Sequence, residues 1–279
     1  MLSYRHAFHA GNFADVLKHL IQLQLLEHLR KKDKGFCCVD THAGAGGYLL
    51  GSDFALKNRE FDNGIAKLWH RNDLPACVAA YVALVKHFNG SGRLERYPGS
   101  PLIARQLLRK QDRLVLYELH STEIKLLNAA VSKDKRITVI HADGLTGAPD
   151  LLPPFERRGL VLIDPSYEIK TDYRQVTETL IKMTKRFATG TYALWYPVID
   201  RSRNHELERA LQNSGIKNIQ LFELGLRADS HEDGMTASGM IVINPPWTLM
   251  AQMRQTLPWL ASILANGTGN FRLETLAGE

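Results

Sequence analysis

Apolar residues recur at helical spacing from Asn12 to about Lys32, in NFADVLKHLIQLQLLEHLRKK, with Asn12 where an N-cap belongs and Gly35 shortly after the basic end. That stretch is predicted to be a helix. Downstream the pattern changes to short apolar runs rich in β-branched or aromatic residues, at 36–40 (FCCVD), 113–118 (RLVLYE), 137–141 (ITVIH), 160–164 (LVLID) and 192–196 (YALWY), each of which predicts a strand. Helical patterns separate most of them. SPLIARQLLRK opens with Ser100 as the expected N-cap and Pro101 at the expected first helical position, STEIKLLNAAV follows Glu118, and DYRQVTETLIKMTKRF follows the fourth run. Strands alternating with helices require crossover connections, hence a parallel sheet covered on both faces. Two later runs, 218–224 (NIQLFEL) and 239–243 (GMIVI), flank a segment without helical period and are expected to pair antiparallel. Between the first strand and Ser100 lie more residues than a crossover needs, including PACVAAYVALVKHF. The expected organisation is a main domain of 1–51 and 100–279 with a small helical insertion at 52–99.

An α/β fold of seven strands with the last antiparallel resembles the Rossmann-like sheet of class I S-adenosylmethionine-dependent methyltransferases, rather than an all-parallel dinucleotide fold. Ligands of such sheets sit beyond the carboxyl ends of the parallel strands. There the chain places Asp40-Thr41-His42-Ala43-Gly44-Ala45-Gly46-Gly47, where small residues let backbone approach a ligand, and then Glu118 and Asp143-Gly144. Laid on Gly44, a GxGxxG fingerprint needs Gly or Ala at Leu49, which disfavours a nicotinamide oxidoreductase. Glu118 suits the hydroxyls of an adenosine ribose and Asp143 the amine of its adenine. Either acid alone reads equally well as a helix N-terminal carboxylate. Three acidic strand ends in succession favour a nucleoside cofactor.

After the fourth strand comes Asp164-Pro165-Ser166-Tyr167, which resembles the [Asp/Asn/Ser]-Pro-Pro-[Tyr/Phe/Trp] tetrapeptide of amino methyltransferases. A carboxylate and a backbone carbonyl accepting the two N–H bonds of an exocyclic amine favour the pyramidal nitrogen required for in-line attack on a methyl group. Asp164 and the carbonyl of Pro165 are the expected acceptors, and Tyr167 the expected platform on which an extracted base stacks. Ser166 stands where the pattern has Pro. Asn244-Pro245-Pro246-Trp247 fits the letters better, but it follows the antiparallel strand and is expected on the opposite sheet edge.

Composition adds limits. Hydrophobic residues at 44% and charged residues at 23% are ordinary globular values, and three Cys make no disulfide framework. A soluble cytoplasmic chain without secretory signal or membrane span is expected. The net charge of +6 suits a polyanionic partner without requiring one. Lys182, Lys185 and Arg186, Arg157 with Arg158, and Arg201 with Arg203 are candidate phosphate contacts, though any such pair also reads as a solvated face. His6, His9 and His19 lack the Cys or acidic ligand that would complete a metal shell, so no metal is expected.

MLSYRHAFHAGNFADVLKH, DTHAGAGGY, YPGSPLIAR, LIDPSYEIKTDY, RFATGTYALWYPV and GMTASGMIVINPPW, in this order and nearly end to end, resemble the bacterial 23S ribosomal RNA adenine-N6 methyltransferases of the RlmJ type. That resemblance implies methylation of one adenine of 23S RNA, conventionally numbered 2030, with S-adenosylmethionine as donor; a monomer is expected, since a base-extracting enzyme can work as one. It implies a cofactor site of His19, His42, Gly44, Ser100, Glu118, Asp143, Gly144 and Asp164, with Asp164 also catalytic, and contact of Tyr4 with the RNA. A DNA amino methyltransferase and an RNA-binding assembly factor with a vestigial cofactor site are the competing readings. The first lacks an obvious target-recognition domain here, and the intact strand-end acids argue against the second.

Overall fold

In a computed structural model of the chain, described at residues 5–90, 92–168, 171–230 and 234–279, ten strands and ten α-helices alternate. The strands are β1 (Cys37–Asp40), β2 (Gly47–Leu49), β3 (Arg96–Pro98), β4 (Arg113–Tyr117), β5 (Ile137–Ile140), β6 (Gly159–Ile163), β7 (Thr191–Val198), β8 (Ile219–Gly225), β9 (Ala237–Ile243) and β10 (Asn270–Ala277). The helices are α1 (Phe13–Arg30), α2 (Asp53–Asn58), α3 (Ile65–Leu68), α4 (Ala76–His87), α5 (Ser100–Leu107), α6 (Glu123–Val131), α7 (Gly144–Gly147), α8 (Asp172–Arg186), α9 (Arg201–Gln212) and α10 (Leu249–Leu264). Three short 3-10 turns join them.

Among the described residues the main sheet runs β10-β8-β9-β7-β6-β1-β4-β5. From β7 through β5 every pairing is parallel, whereas β9 runs antiparallel to both β7 and β8. The seven expected strands are therefore present with the expected reversal. The sequence reading missed an eighth, β10, an edge strand antiparallel to β8 whose polar residues hide its period. It also missed the ribbon in which β2 pairs with β3. Chain order reverses between β1 and β6, and there the carboxyl ends of adjacent strands open a crevice.

One apolar cluster fills the face that carries α1, α4, α5 and α10, and a second fills the face under α8 and α9. Within 52–99, Ile65, Leu68, Trp69, Tyr81 and Tyr97 are buried in the first cluster together with Leu17, Leu20 and Leu160. Helix α1 thus lies between the sheet and these residues, and every position from Phe13 to Leu26 is buried. Asn12 caps it as expected, accepting the backbone N–H of Asp15 at 2.9 Å. Ser100 does not cap α5: Gly99 occupies the N-cap, Ser100 is the first helical residue and Pro101 the second. The Ser100 hydroxyl instead donates to Asp40 Oδ2 at 2.6 Å.

At the far end, Glu223 on β8 is fully buried and accepts hydrogen bonds from Tyr196 and from Arg201, whose guanidinium also reaches Asp229. Arg272 on β10 joins the same cluster through Glu208 and Glu223. Arg201 is therefore committed to structure rather than presented to a phosphate. Because removing Glu223 strands the buried Tyr196 hydroxyl and leaves the half-buried Arg201 guanidinium only Asp229, Glu223→Ala is expected to cost about 3 kcal/mol. A thermal midpoint within a degree or two of the parent would show that this cluster does not hold β10 and α9 in place.

Candidate active site

The crevice at the carboxyl ends of β1, β4, β5 and β6 encloses a cavity of about 280 Å³. His19, His42, Gly44, Ser100, Glu118, Asp143, Gly144, Asp164 and Pro165, all singled out in the sequence, line it. Tyr4 lies outside the described residues.

The Gly-rich loop after β1 is shaped by two close approaches. Gly44 adopts a left-handed φ of +60°, and its N–H donates to Glu118 Oε2 at 2.7 Å, while the other carboxylate oxygen accepts from His120 N at 2.6 Å. Glu118 therefore fixes the loop and still has lone pairs for hydroxyl donors. A Cβ on Gly144 would sit 2.1 Å from the carbonyl oxygen of Thr41, so only glycine lets the start of α7 close against the β1 loop. Asp143 caps α7, accepting from Leu145 N and from the Thr146 hydroxyl, both at 2.9 Å. For Asp143 the helix-cap reading and the cavity-wall reading are both realised.

On the opposite wall stands a buried charge cluster that the sequence reading did not find. Lys18 Nζ lies 2.6 Å from Asp164 Oδ2 and 2.9 Å from Asp15 Oδ1, and Asp15 Oδ2 is 2.9 Å from His6 Nε2. Burial alone would lower the Lys18 ammonium, but Asp15 and Asp164 outweigh it and hold it above its ordinary value. Burial would raise Asp15, yet His6 and Lys18 keep it well below the usual carboxylate range. At Asp164 burial wins, only partly offset by Lys18 and His6, so its carboxyl lies above that range. Burial likewise pushes Asp40 up to about 6, against the hydrogen bonds from Ser100 and His42 N. The signal for this cluster is the polar spacing Asp15, Lys18, His19 and Gln22 on α1, which looks like a solvated stripe in a helix that proves to be covered on all sides.

His19 is neutral, because burial lowers it to about 3. Its Nδ1 lies 2.7 Å from the Tyr97 hydroxyl, which lies 2.7 Å from the Tyr81 hydroxyl. Both tyrosines are fully buried, and Tyr81 has no other side-chain partner among the described residues. If His19 Nδ1 carried the proton, Tyr97 would have to donate to Tyr81 and the Tyr81 proton would have no acceptor. The chain of donors therefore runs from Tyr81 to Tyr97 to His19 Nδ1. This leaves His19 an Nε2–H to offer the cavity it lines. Burial also lowers His42, to about 4, and its Nδ1 shares a 2.7 Å hydrogen bond with the Thr41 hydroxyl.

Tyr167 departs from expectation. It is not part of the cavity wall: its hydroxyl donates to the carbonyl of Trp195 at 2.8 Å, and its ring packs 4.4 Å from that of Tyr173. Its backbone is left-handed, with φ +52°. A ring held this way braces the Asp164-Pro165-Ser166 loop instead of presenting an open face to a base. Asn244-Pro245-Pro246-Trp247 lies on the opposite edge, because Ile243 at the end of β9 pairs with Tyr192 near the start of β7. There Asn244 donates to the carbonyls of Ala188 and Gly190, and Trp247 is exposed. Among the described residues no three His, Cys, Asp or Glu side chains stand close enough to share a metal ion, and no helix is long and apolar enough to cross a membrane.

A parallel sheet with this strand order and a reversed β9, acids closing β1, β4 and β5, and Asp164-Pro165 at the mouth define a class I methyltransferase. A family model described as "Ribosomal RNA large subunit methyltransferase D, RlmJ" matches residues 33–277, and the chain belongs to that family. It is 53% identical over 280 residues to the ribosomal RNA large subunit methyltransferase J of Escherichia coli (strain K12), with all of both chains covered. To the protein of the same name from Haemophilus influenzae (strain ATCC 51907 / DSM 11121 / KW20 / Rd) it is 50% identical over 281 residues, again with both chains fully covered. Protein LPL1258 from Legionella pneumophila str. Philadelphia 1, a crystal structure, superposes with a TM-score of 0.90 at 37% identity, covering 96% of this chain and 98% of that one.

Nitrogen NMR of histidine-labelled protein tests the donor chain. His19 is expected to show a protonated Nε2 and an acceptor Nδ1, unchanged on acidification to about pH 5 because its pKa is about 3. Tyr97→Phe is expected to release this tautomer preference. A protonated Nδ1 in the parent would mean that the chain of donors runs the other way.

Proposed function

We propose that the cavity binds S-adenosylmethionine and that the enzyme methylates the exocyclic N6 of one adenine in 23S ribosomal RNA. The observation that carries this reading is the conjunction of Asp164, followed by Pro165, with the strand-end acids Glu118 and Asp143 and the glycine-containing β1 loop in one cavity. The residues fit the cofactor: Glu118 retains acceptor capacity for ribose hydroxyls, Asp143 stands at the next strand end, and Gly144 lets the start of α7 close against the β1 loop beside it. His19, His42, Gly44 and Ser100 complete the wall. When bound, the cofactor supplies an electrophilic methyl group on a sulfonium.

The chain's own part is to hold the amine. Asp164 and the carbonyl of Pro165 accept its two N–H bonds, which favours a pyramidal nitrogen whose lone pair is less delocalised into the ring. Lys18 fixes the Asp164 carboxylate by occupying one oxygen and leaves the other for the amine. A methylated amine cation is acidic, so Asp164 needs only to accept a proton that departs readily. Tyr167 is assigned to anchoring this loop rather than to stacking. The substrate places the enzyme in the cytoplasm, and one chain carries every residue named in the site, as a monomer requires. No metal takes part in this reading.

Labelled methyl transfer to protein-free, unmodified 23S RNA, followed by nucleoside mass spectrometry, is expected to give N6-methyladenosine at one position. A different methylated nucleoside, or none, would overturn the substrate assignment. Asp164→Asn is expected to lower transfer about 100-fold or more while leaving the fold intact, and near-parental turnover would remove Asp164 from the reaction.

Transfer requires ionised Asp164. Since burial raises that group, activity is expected to be full at higher pH and to fall as pH drops through a value above the ordinary carboxylate range. Lys18→Met removes the cation that counteracts burial, so the acid limb is expected to move to still higher pH. An unmoved limb would show that Lys18 does not control the protonation of Asp164.

A further inference from the structure

The net charge is distributed very unevenly. The four connections that lead into β1, β4, β5 and β6, at 30–36, 109–113, 132–136 and 155–158, hold twelve Lys and Arg against four Asp and Glu. Their net +8 exceeds the +6 of the whole chain, so everything else sums to −2. These connections lie together at the amino ends of the parallel strands. Arg109 donates to the carbonyls of Arg30, Lys32 and Lys34, Arg158 to those of Leu29 and Lys34, and Arg136 to that of Leu108. Arg113 bridges to Glu156 in the neighbouring connection.

Those arginines have structural work, which includes covering the exposed carbonyls after α1. The remaining cations do not. Lys31, Lys32, Lys34, Lys110, Lys135 and Arg157 are exposed, and among the described residues their side chains form no hydrogen bond or ion pair. Beside them Phe155 projects with 95% of its surface exposed, over a shallow groove that Lys110, Arg113, Lys135 and Arg136 also line. A nearly bare aromatic ring among unpaired cations suits a polyanion with stackable bases.

The cavity is the opposite case. Six carboxylates and one lysine, itself buried, line it. Phosphates gain nothing there, and affinity for a long RNA has to be supplied elsewhere. We propose that the amino-terminal edge of the sheet is a second RNA-binding surface, engaging phosphates of the substrate remote from the segment that enters the cavity. This rests on the reading of RNA as substrate. The two surfaces face opposite ends of the parallel strands, at least the length of the five-residue β6, about 17 Å, apart, with the helix-covered sheet between them, so an oligonucleotide of a few nucleotides around the target adenine does not reach both, whereas a long folded RNA passing round the domain does.

The test is the variant Lys34→Glu/Lys110→Glu/Lys135→Glu/Arg157→Glu, all exposed positions, with its fold checked by thermal melting. Binding of full-length 23S RNA is expected to weaken at least tenfold, and the slope of log affinity against log salt to fall by about 3, because each of the four phosphates no longer neutralised takes about 0.7–0.9 from it. Methyl transfer to a short oligonucleotide, the target adenine with one or two nucleotides on either side, is expected to keep its kcat and KM. Unchanged affinity and slope would overturn the proposal, as would an equal loss on the short oligonucleotide, which would put the patch at the reaction site. Binding is read without methylation, so a parent that binds RNA through these residues yet transfers no methyl would sink the substrate reading and leave this surface standing.

Discussion

The ammonium of Lys18 is the point from which the reaction side of the cavity is organised. It is buried between Asp15 and Asp164, and a charge taken out of water is tolerable only where opposite charges and hydrogen bonds replace the solvent. Asp15 is in turn held by His6 and by the N–H of Gly11. A network of this kind is a weak source of stability, since well-packed apolar residues of similar volume often do as well. Its value here is that Asp164 is fixed before any substrate arrives, which removes reorganisation from the reaction.

The same requirement explains why α1 is covered on every side. A helix with one wet face could not keep Lys18 and His19 buried where they reach the cavity. Residues 52–99 supply the cover, through Ile65, Leu68, Tyr81 and Tyr97, and Tyr81 and Tyr97 also set the donor pattern of His19. Part of the wall chemistry is thus set from outside the sheet. The opposite wall relies on the sheet itself, where β4 and β5 end side by side and lead into Glu118 and Asp143, while Asp40 at the end of β1 lies behind the wall and holds Ser100.

Most of the fold was legible because its strands are short, apolar and separated by periodic helices. β10 was not, because Arg272 and Glu274 face ion partners at an edge and break the apolar run. The cavity wall was legible through strand-end residues, whose position follows from topology alone. Lys18 was missed because amphipathic reasoning assigns polar stripes to water, and nothing local reveals a second layer above the helix. Ser100 was misassigned as a cap because a Ser before Pro satisfies the capping pattern, whereas its hydroxyl is used by Asp40, 60 residues away in sequence. Tyr167 belongs to the right tetrapeptide, but the direction of its ring depends on Tyr173 and Trp195, which the motif does not contain.

The Lys18–Asp164 contact joins residues separated by 146 positions. On a ribosome adding about 5–20 residues per second, α1 is complete roughly 7–30 s before the strand that delivers its anionic partner has been made. During that interval Lys18 has only Asp15 for company, and the apolar faces destined for the sheet and for residues 52–99 have to be settled first. The reaction side of the cavity therefore cannot come into existence before the second half of the chain is being made, although its central cation is among the first residues synthesised.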